Sequence, residues 1–214
     1  MGRPSRYGEA DILAGARHVS AEIGPHKLTI AKVAQRAGVP VGSIYHRYAS
    51  RDEILAAVWL ELVEAFQAQW IARLDGEGAI EAGLATVRFT CDWIRRHPRE
   101  ARLLLLHRRE DFASGRWPAA YRRRAEALAA QASASLGRYA ARLGWRAGAA
   151  ELRVLRFALV DLPTAALRSD VEAGVPPGAD MEALLLHTCA FALRRAARER
   201  TTHRPRRESW TSRR

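Results

Sequence analysis

The sequence predicts an all-α protein of about nine helices, and three observations support this. Apolar residues recur at intervals of three and four through almost the whole chain, which is the spacing of one helix face. No segment shows the sustained two-residue alternation of a half-buried strand. Breaks that contain glycine or proline divide the pattern into segments of helical length. The chain has no internal repeats, so we expect an irregular helical architecture.

The first helix is predicted from Gly8 to Ile23, where apolar residues at intervals of three and four form one face. Gly24 and Pro25 end it. A short basic arm, residues 2–6, precedes it. Such an arm can reach into a DNA minor groove, or it is simply a frayed terminus.

Two short helices joined by a tight turn follow. Thr29 is a good N-cap for the first of them, and Gly38 lies where that helix must stop. Val39 and Pro40 make the turn, and proline suits the first turn of a second helix, Val41 to Tyr48. This arrangement is a helix-turn-helix, whose second helix is built to enter a DNA major groove.

The stretch AKVAQRAGVPVGSIYHRYASRDEIL resembles the N-terminal signature of the TetR/AcrR family of transcriptional regulators, and the resemblance extends over roughly residues 8–66. It implies that the first three helices form a DNA-binding unit. Its one departure is Pro40, where the family often has serine or threonine.

The candidate DNA contacts lie on the second helix and at two helix N-termini. Small residues there let the backbone approach the bases, and Tyr45 and His46 can donate to phosphate oxygens, although this pair could also be ordinary surface residues. The resemblance supports these positions and adds the two at helix N-termini. The candidates are Thr29, Val41, Gly42, Ser43, Tyr45, His46 and Arg51. Ile44 and Tyr48 lie on the opposite side and are expected in the core.

A fourth helix is predicted from Arg51 to about Leu74, with a capping box formed by Ser50 and Glu53. It is the only covalent link between the DNA-binding unit and the rest of the chain. We place the domain boundary within it, near Phe66. The predicted division is therefore residues 1–66 for DNA binding, 67–200 for a helical effector-binding and dimerisation domain, and 201–214 for a basic, disordered tail.

Five further helices are expected in the second domain, with Pro163 producing a kink that frees the carbonyl of Leu159. The family resemblance implies that the last two long helices pair with those of a second copy in a four-helix interface. A homodimer would also present two recognition helices to the half-sites of a palindromic operator, roughly 34–36 Å apart.

The resemblance also implies a small-molecule pocket among the middle helices. Aromatic residues and one carboxylate lie in this region of the chain. The carboxylate, Asp161, is expected to be buried and therefore to need a partner, either a ligand or an internal arginine. The candidate effector-binding residues are Phe89, Trp93, Trp117, Tyr121 and Asp161.

The charge distribution agrees with a nucleic-acid partner. Residues 1–50 carry seven Lys and Arg against three acids (+4), and residues 194–214 carry nine Arg against two Glu (+7). The formal net charge is +12, so the middle of the chain is close to neutral. Basic ends supply phosphate contacts, although the C-terminal arginines could equally be only solvated.

Other classes of protein are not indicated. The two cysteines and the isolated histidines have no metal-site or disulfide-framework spacing. No phosphate-binding loop, GxSxG, HExxH or paired carboxylates are present, so we expect neither an enzyme nor a bound cofactor. No secretory leader and no apolar run of about 20 residues is seen, so we expect a cytoplasmic protein without a membrane span.

We therefore expect a TetR-like, homodimeric transcriptional repressor that a small-molecule effector releases from its operator DNA. The alternative is a DNA-binding regulator that does not respond to ligands and is controlled by a partner or by its expression level.

Overall fold

The structure, a computed structural model, describes residues 8–112, 117–145 and 148–198. Within these ranges every regular element is helical, which confirms the all-α prediction. A single 3-10 turn, Pro25–Lys27, precedes the second helix. The α-helices are α1 Glu9–Ile23, α2 Ile30–Ala37, α3 Val41–Tyr45, α4 Arg51–Leu74, α5 Ala79–Arg96, α6 Pro98–Leu106, α7 Arg109–Phe112, α8 Ala119–Arg142, α9 Ala149–Arg156, α10 Leu162–Ala173 and α11 Ala179–Arg198.

A kink was expected at Pro163; the structure has a π-helical turn, Phe157–Asp161, just before this residue, and the turn joins α9 and α10 into one continuous helix. Leu162 donates its N–H to the carbonyl of Phe157, five residues back. Counted this way, the described residues form ten helices. The nine expected helices are present, and α7 is the additional one.

The N-terminal helices share one apolar core, which includes the fully buried Ile12, Val33, Ile44 and Leu55. α1 and α2 cross closely at Gly15, because a Cβ there would lie 2.9 Å from the Cβ of Ala37. Side chains from α6, α7 and α8 also enter this core: Leu103, Phe112, Ala125 and Leu128. The DNA-binding unit therefore packs directly on the second half of the chain.

A second core lies among α4, α5, α8, α9, α10 and α11. Tyr139 of α8 is fully buried there and donates its hydroxyl hydrogen to the carbonyl of Ala79 at 2.6 Å. Gly83 leaves space for this ring, since a Cβ at that position would overlap with the Tyr139 hydroxyl.

α4 passes through both cores. Residues 54–62 contribute to the first, and Trp70, Ile71 and Leu74 contribute to the second. By length and composition α4 is the one helix among the described residues that could cross a membrane. Because its apolar side chains are shared between two protein cores, that composition is accounted for without a bilayer.

Candidate functional sites

Local backbone features position the helix-turn-helix. The hydroxyl of Thr29 accepts the N–H of Lys32 at 3.3 Å and caps α2, as predicted. Gly38 ends α2 in the left-handed conformation, with φ of 66°, which glycine adopts without steric cost. Val39 then donates its N–H to the carbonyl of Ala34 at 3.0 Å, which fixes the direction in which the chain enters α3.

One side of the recognition segment is anchored in the core. Ile44 is fully buried, and Tyr48 donates its hydroxyl hydrogen to the carboxylate of Glu9 at 2.9 Å. Burial, together with the Glu9 carboxylate, raises the pKa of Tyr48 well above its usual value, so the phenol remains a donor at any physiological pH. This bond ties the end of the segment to the first turn of α1.

The opposite side of α3 faces outward. Val41 and Tyr45 are 43% and 56% exposed, which is high for large apolar side chains. Gly42 and His46 are also exposed, and nothing lies within 4 Å of where a Cβ at Gly42 would be. Ser43 is half-buried. Four of the predicted contacts on α3 therefore share one open surface.

Thr29 is exposed at the start of α2, whereas Arg51 has a structural contact that the sequence did not indicate. The Arg51 guanidinium donates to the backbone carbonyls of Leu28, Pro25 and His26 at 2.7, 2.8 and 2.9 Å. It therefore braces the turn before α2. A phosphate contact by Arg51 stays a prediction.

The capping box at the start of α4 is present in a shifted form. Ser50 accepts the N–H of Glu53 at 3.2 Å, as predicted. The Glu53 carboxylate reaches the N–H of Ala49 at 2.7 Å, one residue earlier than a standard box. The junction between α3 and α4 is held by both bonds.

The second half of the chain contains an apolar cavity of about 190 Å³ between α4, α5, α8 and the π-helical turn. Its wall is apolar apart from Gln67, Thr90 and Thr164. The amide of Gln67 donates to the carbonyl of Leu128 at 2.9 Å and so ties α4 to α8 at the edge of this cavity. Gln67 was not predicted from the sequence, because a glutamine on an apolar helix carries no distinctive pattern.

The predicted effector-binding aromatics do not line this cavity. Phe89 and Trp93 are buried behind Phe66, with ring centroids 5.3 and 5.0 Å from it. Trp117 packs against Trp59 in the first core, at 5.4 Å. Tyr121 is half-buried on the part of α8 that faces the DNA-binding unit. The sequence placed these aromatic residues in the middle region of the chain but could not show which of them would face a cavity.

The expectation of a buried carboxylate at Asp161 is wrong. The side chain is 49% exposed and lies 3.5 Å from the guanidinium of Arg156. Within the π-helical turn, Ala158 and Leu159 face the core, whereas Asp161 lies on the exposed side. Its partner is an internal arginine, which was one of the two alternatives.

The cysteines contribute to packing. Cys91 and Cys189 are fully buried, as expected for Cys91, and burial raises the pKa of each thiol to about 11. Cys189 donates to the carbonyl of Ala158 at 2.9 Å, within the π-helical turn. Among the described residues, no group of three or more His, Cys, Asp or Glu side chains is placed to hold a metal ion.

Comparison with known proteins agrees with this architecture. Residues 12–58 match the family described as bacterial regulatory proteins, tetR family. No curated protein sequence matches the chain.

Three solved structures illustrate the likeness in fold. A putative tetR family transcription regulator from Shewanella sp. PV-4 has a TM-score of 0.67 at 17% identity over 87% of this chain and 96% of its own. The transcriptional regulator FadR from Bacillus subtilis, in complex with stearoyl-CoA, has a TM-score of 0.66 at 17% identity. The fatty acid degradation regulator FadR from Bacillus halodurans has the same TM-score at 16% identity. Both FadR alignments cover 87% of this chain and 98% of the other.

The matched segment contains the whole helix-turn-helix, and the remaining helices share the fold of these solved regulators. Residues 12–58 are therefore a helix-turn-helix segment of the type found in the tetR family of bacterial regulatory proteins.

Proposed function

We propose that the protein is a homodimeric, cytoplasmic repressor that a small-molecule effector releases from its operator. The observation that carries this proposal is the course of α4, which starts at the recognition segment, passes through both cores and borders the apolar cavity. The proposal includes a boundary between residues 66 and 67 that separates the DNA-binding domain from the effector-binding and dimerisation domain. Side chains of α6, α7 and α8 complete the core of the first domain.

The proposed DNA surface consists of the exposed positions of α3 together with Thr29. Anchoring by Ile44 and Tyr48 leaves Gly42, Tyr45 and His46 free to meet a major groove. A five-residue helix reads only a few base pairs, so useful specificity requires a second copy on a second half-site.

The proposed dimer surface lies on α9, the π-helical turn and α11. Large apolar side chains are exposed there, which is unusual for a monomer and typical of an association surface. They are Val154, Phe157, Val160, Leu184 and Phe191. Two copies would bury these faces against each other across a two-fold axis.

Light scattering tests the dimer. The wild type is expected at twice the chain mass of 23.8 kDa, and a Phe157→Glu, Phe191→Glu variant at the chain mass, because each glutamate would be buried unpaired. A Val175→Glu variant is the matched control, since Val175 is 51% exposed on the loop before α11. A wild type that has one chain mass at micromolar concentration contradicts the dimer.

The cavity is the proposed effector site. A molecule inside it would contact Phe66 and Gln67 of α4, and it would compete for the amide that ties α4 to the carbonyl of Leu128. Loosening this tie would let α4 and α8 move apart and change the separation of the recognition helices, with a coupling of about 1–3 kcal/mol. FadR from Bacillus subtilis, which shares this fold, was solved with stearoyl-CoA, which supports a metabolite as effector.

A ligand screen tests the effector. A compound that binds the folded protein raises its melting temperature. Each such compound is then added to the complex with operator DNA, and we expect release. Ligands that bind without changing DNA affinity, or a screen without any binder, would favour the regulator that does not respond to ligands.

A further inference from the structure

A second space adjoins the apolar cavity. A cleft of about 500 Å³ lies between α8 and α9, and its walls share Ala132, Leu136 and Val160 with the cavity. Val160 belongs to the π-helical turn and is 38% exposed, so it lies at the boundary between the two spaces. The cleft and the cavity are therefore direct neighbours, and together they form one candidate site.

The two spaces differ in charge. Among the described residues, no ionisable side chain lines the inner cavity, and the lining residues with polar side-chain atoms are Gln67, Trp70, Thr90 and Thr164. The cleft is lined by Arg153 and Arg156, one turn of α9 apart along the helix. The guanidinium of Arg156 shares its charge with Asp161, at 3.5 Å, whereas Arg153 has no ion pair with a described residue. The side chains of Arg153, Arg156 and Asp161 together give the cleft a net charge of +1.

We propose that this site binds an amphiphilic anion, with an apolar chain in the inner cavity and a carboxylate or phosphate head beside Arg153 and Arg156. The inference rests on the proposed function, because the bound anion would be the effector. Arginine suits this task, since its planar guanidinium presents paired donors to carboxylate and phosphate oxygens.

The cavity volume limits the length of the chain. An apolar cavity of about 150 Å³ is large enough for benzene, which has six carbon atoms. On that scale a cavity of about 190 Å³ holds roughly seven or eight carbon atoms. A chain of medium length therefore fits without any opening of the core.

Isothermal titration without DNA tests the site. Straight-chain carboxylates from butanoate to dodecanoate are titrated, together with octanamide as the uncharged control and octanoyl-CoA as the phosphate-bearing form. We expect the tightest binding near octanoate, and binding of octanoate about three- to tenfold tighter than that of octanamide, with a preference that falls as salt is added. Whichever of octanoate and octanoyl-CoA binds more tightly shows whether the preferred head group is a carboxylate or a phosphate.

Charge variants test the role of the two arginines in the cleft. The Arg153→Gln, Arg156→Gln double variant is expected to lose the preference for octanoate over octanamide, and Asp161→Asn to increase it. Arg88→Gln is the matched control, because Arg88 is an exposed arginine of α5 that lines neither space, and it should keep the wild-type preference. Equal affinity for octanoate and octanamide, or a preference that survives the double variant, would overturn the proposal.

The outcome separates this inference from the proposed function. Octanoate that binds with the expected charge preference but leaves DNA affinity unchanged supports the site and contradicts release by an effector. Release from DNA by a compound that binds in the same way to the double variant overturns the anion site and leaves the proposed function standing.

Discussion

Gly42 offers a test in which stability and DNA binding change in opposite directions. Its backbone is not left-handed, and a Cβ placed on it has no atom within 4 Å. The fold therefore does not require glycine at this position. Alanine is favoured over glycine within a helix by about 0.5–1 kcal/mol, because glycine loses more backbone freedom on folding. Gly42→Ala is expected to stabilise the protein by about that amount.

The same methyl group would stand on the surface that we propose meets the major groove. A displaced recognition helix loses base contacts that are each worth about 1–3 kcal/mol, so DNA affinity should fall roughly five- to a hundredfold. Urea unfolding measures the first effect, and fluorescence anisotropy with labelled operator DNA measures the second.

Gly137→Ala is the matched control. Gly137 lies within α8, its φ is not positive, and a Cβ there also has nothing within 4 Å. It should give a similar gain in stability and leave DNA affinity unchanged. If Gly42→Ala binds operator DNA as tightly as Gly137→Ala does, then α3 does not approach DNA through this face. If Gly42→Ala is less stable than the wild type, then Gly42 does not have the helical conformation described here.

Three further changes test the fold around the sites. Gly83→Ala should destabilise the protein by about 2–4 kcal/mol in urea unfolding, because the methyl group displaces the buried Tyr139 hydroxyl, and a change below ~1 kcal/mol would contradict this packing. Ser50→Ala should cost about 1 kcal/mol through loss of the α4 cap; no change would show that the cap is redundant. Burial lowers the pKa of His107 below 6.5, with Asp111 opposing it, so the native state favours the neutral ring. Stability contributed by His107 is present above pH 6.5 and is lost as the pH falls towards the native pKa, because the unfolded chain then binds the extra proton. His107→Gln should therefore weaken the dependence of the free energy of unfolding on pH between 7.5 and 5. An unchanged pH dependence would refute this.

The helix-turn-helix was predictable because its determinants are local. The cap at Thr29, the left-handed Gly38 and the cap at Ser50 each act within a few residues of their position, so sequence spacing alone identifies them. The brace formed by Arg51 was not predictable, since its carbonyl partners lie more than 20 residues away. A helix as short as α7 has too few residues for a periodic pattern.

The lining of the cavity was not predictable for a different reason. Asp161 was expected inside the protein because apolar residues surround it in the sequence, but in the structure Val160 lines the cavity and Asp161 is half exposed. Phe89 and Trp93 are buried, and it is the packing of Phe66 against them that keeps them in a second layer behind the cavity wall. The basic arm and the C-terminal tail lie outside the described residues, and their DNA contacts stay predictions.

The most direct test of the central claim compares two DNA duplexes. The protein is titrated onto the DNA upstream of its own coding region and onto a shuffled duplex of the same length, at low and at physiological salt. We expect a dimer to bind one upstream site at least about 10³-fold more tightly than the shuffled duplex. This preference should persist while both affinities fall as salt is added. Equal affinity for the two duplexes at both salt concentrations would contradict specific readout by α3.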